Sequence, residues 1–396
     1  MQDIKPRKWQ EEALRIWKKE KKGIIKVVTG GGKTFFASFC IEYLLKENIE
    51  DLKIIIFVPS LMLIDQWEVE INHFFKNALT ISTCSGVDKP DLDAQVIISS
   101  LDSGEKLLEK LKEKKNIFCI VDECHRAGSE KRSQCIKHDW SYTLGLSATP
   151  EREHDDAFES ILVPYLGEVF FNYNYLSALK DGVISKFDLV NVYVPLMDDE
   201  ELEYNKATKK ISKRIAVLGK FDMYDPYLKI LLINRSRILN NAYLRAPTAN
   251  KIINLIDSKK WLIFCEQIMQ AEIMAELLNR KDLRVAKYHT KLSKLERYDN
   301  LSKFKDGIAD VLISCKSLDE GFDVPDAESA IIVSSSASVR QRIQRMGRVL
   351  RKTKKNKNAR IYTLYSSDRE RERLEKEVEQ FNYEVNVIWK KIEAND

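Results

Sequence analysis

The stretch that decides the fold is "IIKVVTGGGKTFF", Ile24 to Phe36. Its β-branched opening reads as a buried strand, and from Thr34 onward "TFFASFCIEYLL" has the length and apolar spacing of a helix. Between them lie residues 29–32, three of them glycine, which hold no regular structure easily. Strand, glycine loop and helix N-terminus together make an anion-binding device, because backbone N–H groups and the helix dipole point at the same place. The pattern G-x-x-x-x-G-K-[ST] assigns Lys33 to the β- and γ-phosphates and the Thr34 hydroxyl to Mg²⁺, with the backbone of Thr29, Gly30, Gly31 and Gly32 cradling the phosphates. Val27 stands where the first glycine of that pattern belongs. No phosphate contact is assigned to that position, so Val27 can complete the strand. The implied cofactors are ATP and Mg²⁺.

Working outward, short apolar strands alternate with helix-length segments, the pattern of a parallel α/β sheet. Strands are expected at 24–28, 53–58, 95–99, 117–121 and 142–146, and again at 262–265, 284–288, 311–314, 330–334 and 360–364. Each set suits one doubly wound domain. Residues 198–247 lack strand character, are rich in lysine and arginine, and read as a helical insertion. The expected division is therefore a first domain over 1–190, the insertion over 198–247, and a second domain over 248–396. The 396 residues carry a net charge of +5, which permits a nucleic-acid partner without demanding one. Seven scattered cysteines form no C-x-x-C pair, which argues against a zinc ribbon or disulfide framework and suits a reducing cytoplasm. No apolar run is long enough to span a bilayer, and "MQDIKPRKWQ" is no secretory signal.

Chemistry-bearing motifs come directly after the strands. In "IFCIVDECH", Asp122 and Glu123 end a buried apolar run, where ligands of open α/β sheets bind. Asp122 suits Mg²⁺ coordination, Glu123 a general base on water, and His125 a polar link to the nucleotide. "LGLSATP" repeats the geometry, placing Ser147 and Thr149 where their hydroxyls can bond the acidic motif. In "QRIQRMGRVLR", Arg345, Arg348 and Arg351 recur at helical spacing beside Gln344, and such arginines stabilise charge on a transferred phosphoryl group. A basic helix lying on nucleic acid is the competing reading. In "RKWQ", Gln10 can bond adenine through N6 and N7, and Arg7 can stack on its ring.

Taken in order, "RKWQ", "TGGGKT", "VPSLMLIDQW", "ISSLDS", "DECH", "SATP", "IFCEQ", "SCKSLDEGFDVPDA" and "QRMGRVLR" resemble the motif set of superfamily-two helicases. "LGLSATPERE", "YLSALKDGVIS", "SLDEGFDVPDA" and "IQRMGRVLR" make the chain most similar to the XPB, or Rad25-like, branch. The resemblance implies two tandem RecA-like domains with ATP between them, and a thumb-like insertion at 198–247. It implies that Ser60, Ser100, Ser103 and Ser314 contact the phosphates of one DNA strand, and that Gly321 and Asp323 approach the ATP. Two departures stand out. The motifs begin almost at residue 1, without the extra N-terminal domain usual in XPB relatives, and Arg152-Glu153-His154 replaces the family's Arg-Glu-Asp element. The implied activity is an ATP-dependent DNA helicase or translocase, nucleic-acid-stimulated, independent of DNA sequence and serving DNA repair or genome maintenance. An RNA helicase, a non-hydrolysing clamp and the motor of a restriction or antiviral nuclease complex stay open. Cutting would need a nuclease partner, since the chain carries no nuclease constellation of its own.

Within the insertion, Tyr204, Ala207, Ile211, Ile215 and Leu218 form an apolar stripe at helical spacing, and Lys206, Lys209, Lys210 and Lys213 fall largely on another face. After residues 219–225, Pro226 opens a second amphipathic helix. The two are expected to bury their stripes together and to turn the lysines toward duplex phosphate.

Overall fold

A computed structural model describes residues 5–28, 30–85, 90–111, 116–151, 156–183, 186–222, 224–256, 258–279, 283–315, 327–334, 359–379 and 385–391. The chain divides into two compact units, the first running to Ile184 and the second beginning at Ser185.

The first unit is built on a seven-stranded sheet. Its strands are β1 (Ile24–Val27), β2 (Lys53–Val58), β3 (Ile81–Cys84), β4 (Val96–Ser100), β5 (Ile117–Asp122), β6 (Tyr142–Ser147) and β7 (Val169–Tyr173), in the order β3-β4-β2-β5-β6-β1-β7. Every pairing is parallel. Parallel strands need crossovers, and helices that cover both faces make the central strands apolar throughout. β2 and β5 are buried at every position, and Ile54–Val58 and Ile117–Val121 within them read as unbroken apolar runs. Three helices position the carboxyl edge of this sheet. Helix α1 (Lys8–Glu20) buries Trp9, Ala13 and Trp17, four residues apart, and the Trp17 indole donates to the Thr143 carbonyl. Helix α2 (Lys33–Lys46) springs from the glycine loop, and α3 (Leu61–Phe75) comes after β2.

The second unit repeats the design with β8 (Phe187–Tyr193), β9 (Trp261–Cys265), β10 (Val285–Tyr288), β11 (Val311–Cys315), β12 (Ser329–Ile332), β13 (Ala359–Tyr365) and β14 (Asn386–Lys391). Their order is β10-β11-β9-β12-β13-β8-β14, again all parallel. β8 corrects the expected division. It pairs with β13 and β14, so a first domain ending at residue 190 would cut through a strand of the second sheet. The helical insertion therefore departs from within the second unit, not from a link between the two.

That insertion is a hairpin of two helices, Asp198–Leu218 and Pro226–Asn240. Ile211, Leu228 and Leu231 form its buried seam. Asp225 caps the second helix by accepting from the Leu228 N–H, and the Arg214 guanidinium grips the same carboxylate at 3.0 and 2.5 Å. The next helix, Arg245–Leu255, starts inside the expected insertion but belongs to the core of the second unit. Arg245 is fully buried. It donates to the carbonyls of Val333 and Leu364 and forks onto both oxygens of Glu370 at 2.8 Å.

Burial by itself raises the pKa of Glu370, but Arg245 outweighs it and holds the carboxyl below its usual range. Removing one partner of such a pair strands a buried charge, at a cost of about 3–5 kcal/mol. Glu370→Ala is expected to destabilise the second unit by that order in urea unfolding near neutral pH. The penalty should shrink as pH falls through the Glu370 titration, because protonation then breaks the parent's pair as well.

Candidate active site

The loop after β1 has its shape set by close steric fits. A side chain on Gly31 would press within 2.6 Å of the Val27 Cγ1 and 2.9 Å of the Val28 carbonyl. Val27 at the usual glycine position is thus matched by a residue with no Cβ four places on. Gly32 precedes α2 with φ +102°, in the left-handed region, and a Cβ there would meet the Gln10 amide nitrogen at 3.1 Å. Arg7 and Gln10 both reach this loop. Arg7 Nη1 donates to the Gly31 carbonyl at 2.7 Å, Gln10 Nε2 to the Gly32 carbonyl at 3.0 Å, and Gln10 Oε1 accepts from the Arg7 N–H. In this structure their side chains hold the loop, where their residue types suggest adenine recognition.

Lys33 and Thr34 open α2, both partly buried. Lys33 Nζ lies 2.8 Å from Glu123 Oε1. Glu123 has a left-handed backbone, φ 45°, uncommon for a residue with a side chain, and its N–H donates to Asp122 Oδ1 at 2.9 Å. The other Asp122 oxygen accepts from the Trp67 indole at 2.9 Å. His125 Nδ1 lies 3.0 Å from the Ser147 hydroxyl and 3.4 Å from Glu123 Oε2. Ser147 also accepts from the Thr149 N–H. The acidic and Ser-Ala-Thr motifs are therefore joined by hydrogen bonds, as their spacing suggests.

The electrostatics come from burial. Desolvation works to lower the Lys33 pKa, but Glu123 and Asp122 outweigh it and raise it. Desolvation works to raise Glu123, yet Lys33 and then His125 pull it down to about 2. Asp122 lacks a direct lysine bond, so desolvation prevails and its pKa is raised despite Lys33.

The same carboxyl edge of the sheet presents the serines. Ser60 caps the chain's entry into α3, and its hydroxyl is buried without a hydrogen-bond partner among the described residues. Ser100 ends β4 and donates to Ser103 at 2.9 Å, both side chains buried. In the second unit Ser314 lies in β11, buried, its hydroxyl also without a partner among the described residues. Lys206, Lys209, Lys210 and Lys213 are exposed on the first helix of the hairpin. Thr29, Arg152 to His154, Gly321, Asp323, Gln344, Arg345, Arg348 and Arg351 lie outside the described residues. Sequence reasoning does not single out Trp67. Its one signal is its place in "VPSLMLIDQW", where an indole reads as core.

Two parallel sheets in tandem, with a glycine loop, a paired-carboxylate strand end and a Ser-Ala-Thr strand end in the first, make a tandem RecA-like fold. Residues 3–152 match the family described as "Type III restriction enzyme, res subunit", and residues 247–353 match "Helicase conserved C-terminal domain". The DNA 3'-5' translocase XPB2 of Sulfurisphaera tokodaii is 30% identical over 369 residues, covering 89% of this chain and 80% of that one. The chain belongs to the XPB/Rad25-like family of superfamily-two helicases, which are ATP-dependent enzymes. The Rad25 protein of Haloarcula marismortui is 25% identical over 88% of this chain, which spans only 51% of that relative. Among solved structures, S. cerevisiae Dbp5 bound to RNA and ADP BeF3 shares the fold, with a TM-score of 0.68 at 16% identity over 98% of this chain and 90% of that one. Among the described residues no helix is long and apolar enough to cross a membrane, and no cluster of three metal-ligating side chains occurs. All seven cysteines are buried thiols, with no disulfide between them.

A depressed carboxylate contributes stability that is complete above its ordinary value of 4.5 and lost as pH falls toward about 2. Lys33→Ala removes the cation that holds Glu123 down. The Glu123 pKa is then expected to rise from about 2, read by carboxyl-carbon NMR titration, and the acid-side stability window should close with it. A Glu123 titration unmoved in that variant would contradict the assigned cause.

Proposed function

We propose that the chain is an ATP-driven motor that moves on DNA without reading its sequence, in genome maintenance. The observation that supports this best is the partly buried Lys33–Glu123 pair beside the buried Asp122, on the same sheet edge as Ser60, Ser100 and Ser103. The residues present fit a magnesium nucleotide. Gly31 and Gly32, with no Cβ, let the loop close on Val27, Val28 and Gln10 just ahead of α2, Lys33 offers a partly buried cation and Asp122 a buried carboxylate. In this reading residues 29–32 and Lys33 hold the phosphates, Thr34 and Asp122 hold Mg²⁺, and Arg7, Gln10 and His125 complete nucleotide recognition. Bound ATP supplies the phosphoryl group whose transfer to water releases the driving energy. Glu123, once freed from Lys33, orients and deprotonates that water. The roles the family gives Gly321, Asp323, Gln344, Arg348 and Arg351 belong to the same proposal.

Hydroxyls, amides and lysines aimed at phosphate read charge and shape, not base edges. The unpartnered hydroxyls of Ser60 and Ser314 support that role, as do the exposed hairpin lysines. A second reading, the motor of a nuclease complex with a separate cutting partner, is favoured by the match to a restriction-enzyme subunit over residues 3–152. The deciding experiment measures ATPase rate against single-stranded, duplex and forked DNA and against RNA. Stimulation by DNA, indifferent to sequence, supports the proposal. Stimulation by RNA alone, or no turnover at all, overturns it.

Glu123→Gln should keep nucleotide binding while hydrolysis falls by ~10²–10⁴. Near-normal turnover in that variant would remove Glu123 from the role. Replacing Lys206, Lys209, Lys210 and Lys213 together by Gln should spare basal ATPase and weaken DNA binding. The log–log salt slope should also flatten by roughly 0.9 per lost duplex phosphate contact. An unchanged slope would reduce the hairpin to a spacer.

A further inference from the structure

Among the described residues Asp122 is a buried carboxylate with no ion pair, and the nearby lysine bonds Glu123 instead. Its two oxygens are held instead by the Glu123 N–H and the Trp67 indole N–H, each at 2.9 Å. Trp67 is 1% exposed. Trp17, Trp140 and Trp261 are also buried, but their indoles donate to backbone carbonyls, whereas Trp67 donates to a carboxylate. Trp67 stands on α3, whose first residue comes directly after Ser60. Ser60 and Trp67 are two turns apart, about 10 Å along a helix at ~1.5 Å per residue. One element thus carries a buried hydroxyl, without a partner among the described residues, at its start and a hydrogen bond to Asp122 two turns further on.

We propose that Trp67 is the positioning residue of the Mg²⁺ site, and that α3 is the link through which nucleic acid held at Ser60 alters the setting of Asp122. This rests on the proposed function, which makes Asp122 the Mg²⁺ carboxylate and Ser60 a phosphate contact. Partners that orient a ligating carboxylate typically change metal affinity by ~10–100-fold when removed. A translation or tilt of α3 on binding DNA moves the indole, and the carboxylate oxygen bonded to it must move with it or lose its donor.

The test measures the affinity of a fluorescent ADP analogue in EDTA and across a Mg²⁺ titration, with and without single-stranded DNA. The parent chain, Trp67→Phe, Trp67→His and Ser60→Ala are compared. Trp67→Phe deletes the donor while keeping an aromatic ring, and Trp67→His restores an N–H. Expected is an unchanged affinity in EDTA, with a Mg²⁺ midpoint raised ~10–100-fold in Trp67→Phe and partly rescued in Trp67→His. Ser60→Ala should reduce or lose the shift in Mg²⁺ midpoint that DNA causes in the parent. A Trp67→Phe chain with the parent's midpoint and the parent's DNA response overturns the inference. If the parent itself shows no Mg²⁺-dependent nucleotide binding, the proposed function fails and this inference with it. A readout independent of any variant's folding uses 5-fluorotryptophan placed at position 67 alone, which keeps the donor. Its ¹⁹F resonance should move on adding Mg²⁺ with ADP and again on adding DNA. A resonance still in both cases overturns the link.

Discussion

Three ionisable groups, the buried Asp122 and the partly buried Lys33 and Glu123, are drawn together at one sheet edge, and much of the first unit is arranged around that constraint. An isolated buried charge is prohibitive, so each must be paired or hydrogen-bonded. Lys33 pairs with Glu123, His125 leans on the other Glu123 oxygen, and Asp122 is held by two N–H donors. The supporting groups come from α3, from the turn after β5 and, through Ser147, from the end of β6. The left-handed backbone at Glu123 is the conformation that puts its N–H on Asp122 while its side chain reaches Lys33.

This resting arrangement bears on the proposed chemistry. A carboxylate held near pKa 2 is a weak base, and a lysine committed to it is not free for phosphate. Phosphate oxygens that claim Lys33 would release Glu123 and raise its basicity in the same event. In the proposed reading, binding and activation are one exchange of ion pairs, and Glu123 stays a weak base until phosphate claims Lys33.

The second unit solves a different problem. Its hairpin has a short buried seam, and the turn between its helices is fastened by Arg214 on the helix-capping Asp225. The base of the hairpin is anchored more deeply. Arg245 reaches from the next helix to the ends of two strands and to Glu370, so the exposed lysines project from a rigid root. The phosphate grip proposed for these lysines would gain from such a root, because flexibility at the base costs entropy at every contact.

Periodicity and motif spacing alone determined the class of fold, most of the strands, the glycine loop and the place of Asp122 and Glu123 at the end of a buried strand. Those signals are local: an apolar run such as Ile54–Val58 reports its own burial, and a loop of glycines reports its own backbone. What the tertiary structure decided is what depends on partners distant in sequence. The edge strands β3, β7 and β14 are only partly buried, so they carry no continuous apolar run and were not legible. β8 lies far along the chain from its partners β13 and β14, so its membership of the second sheet could not be read from order in the sequence. Residue type places Arg7 and Gln10 at the nucleotide, but only packing shows that their side chains hold the glycine loop. Trp67 reads as core until the fold brings it to Asp122, 55 residues away along the chain, because a hydrogen bond to a buried charge leaves no periodic trace in sequence.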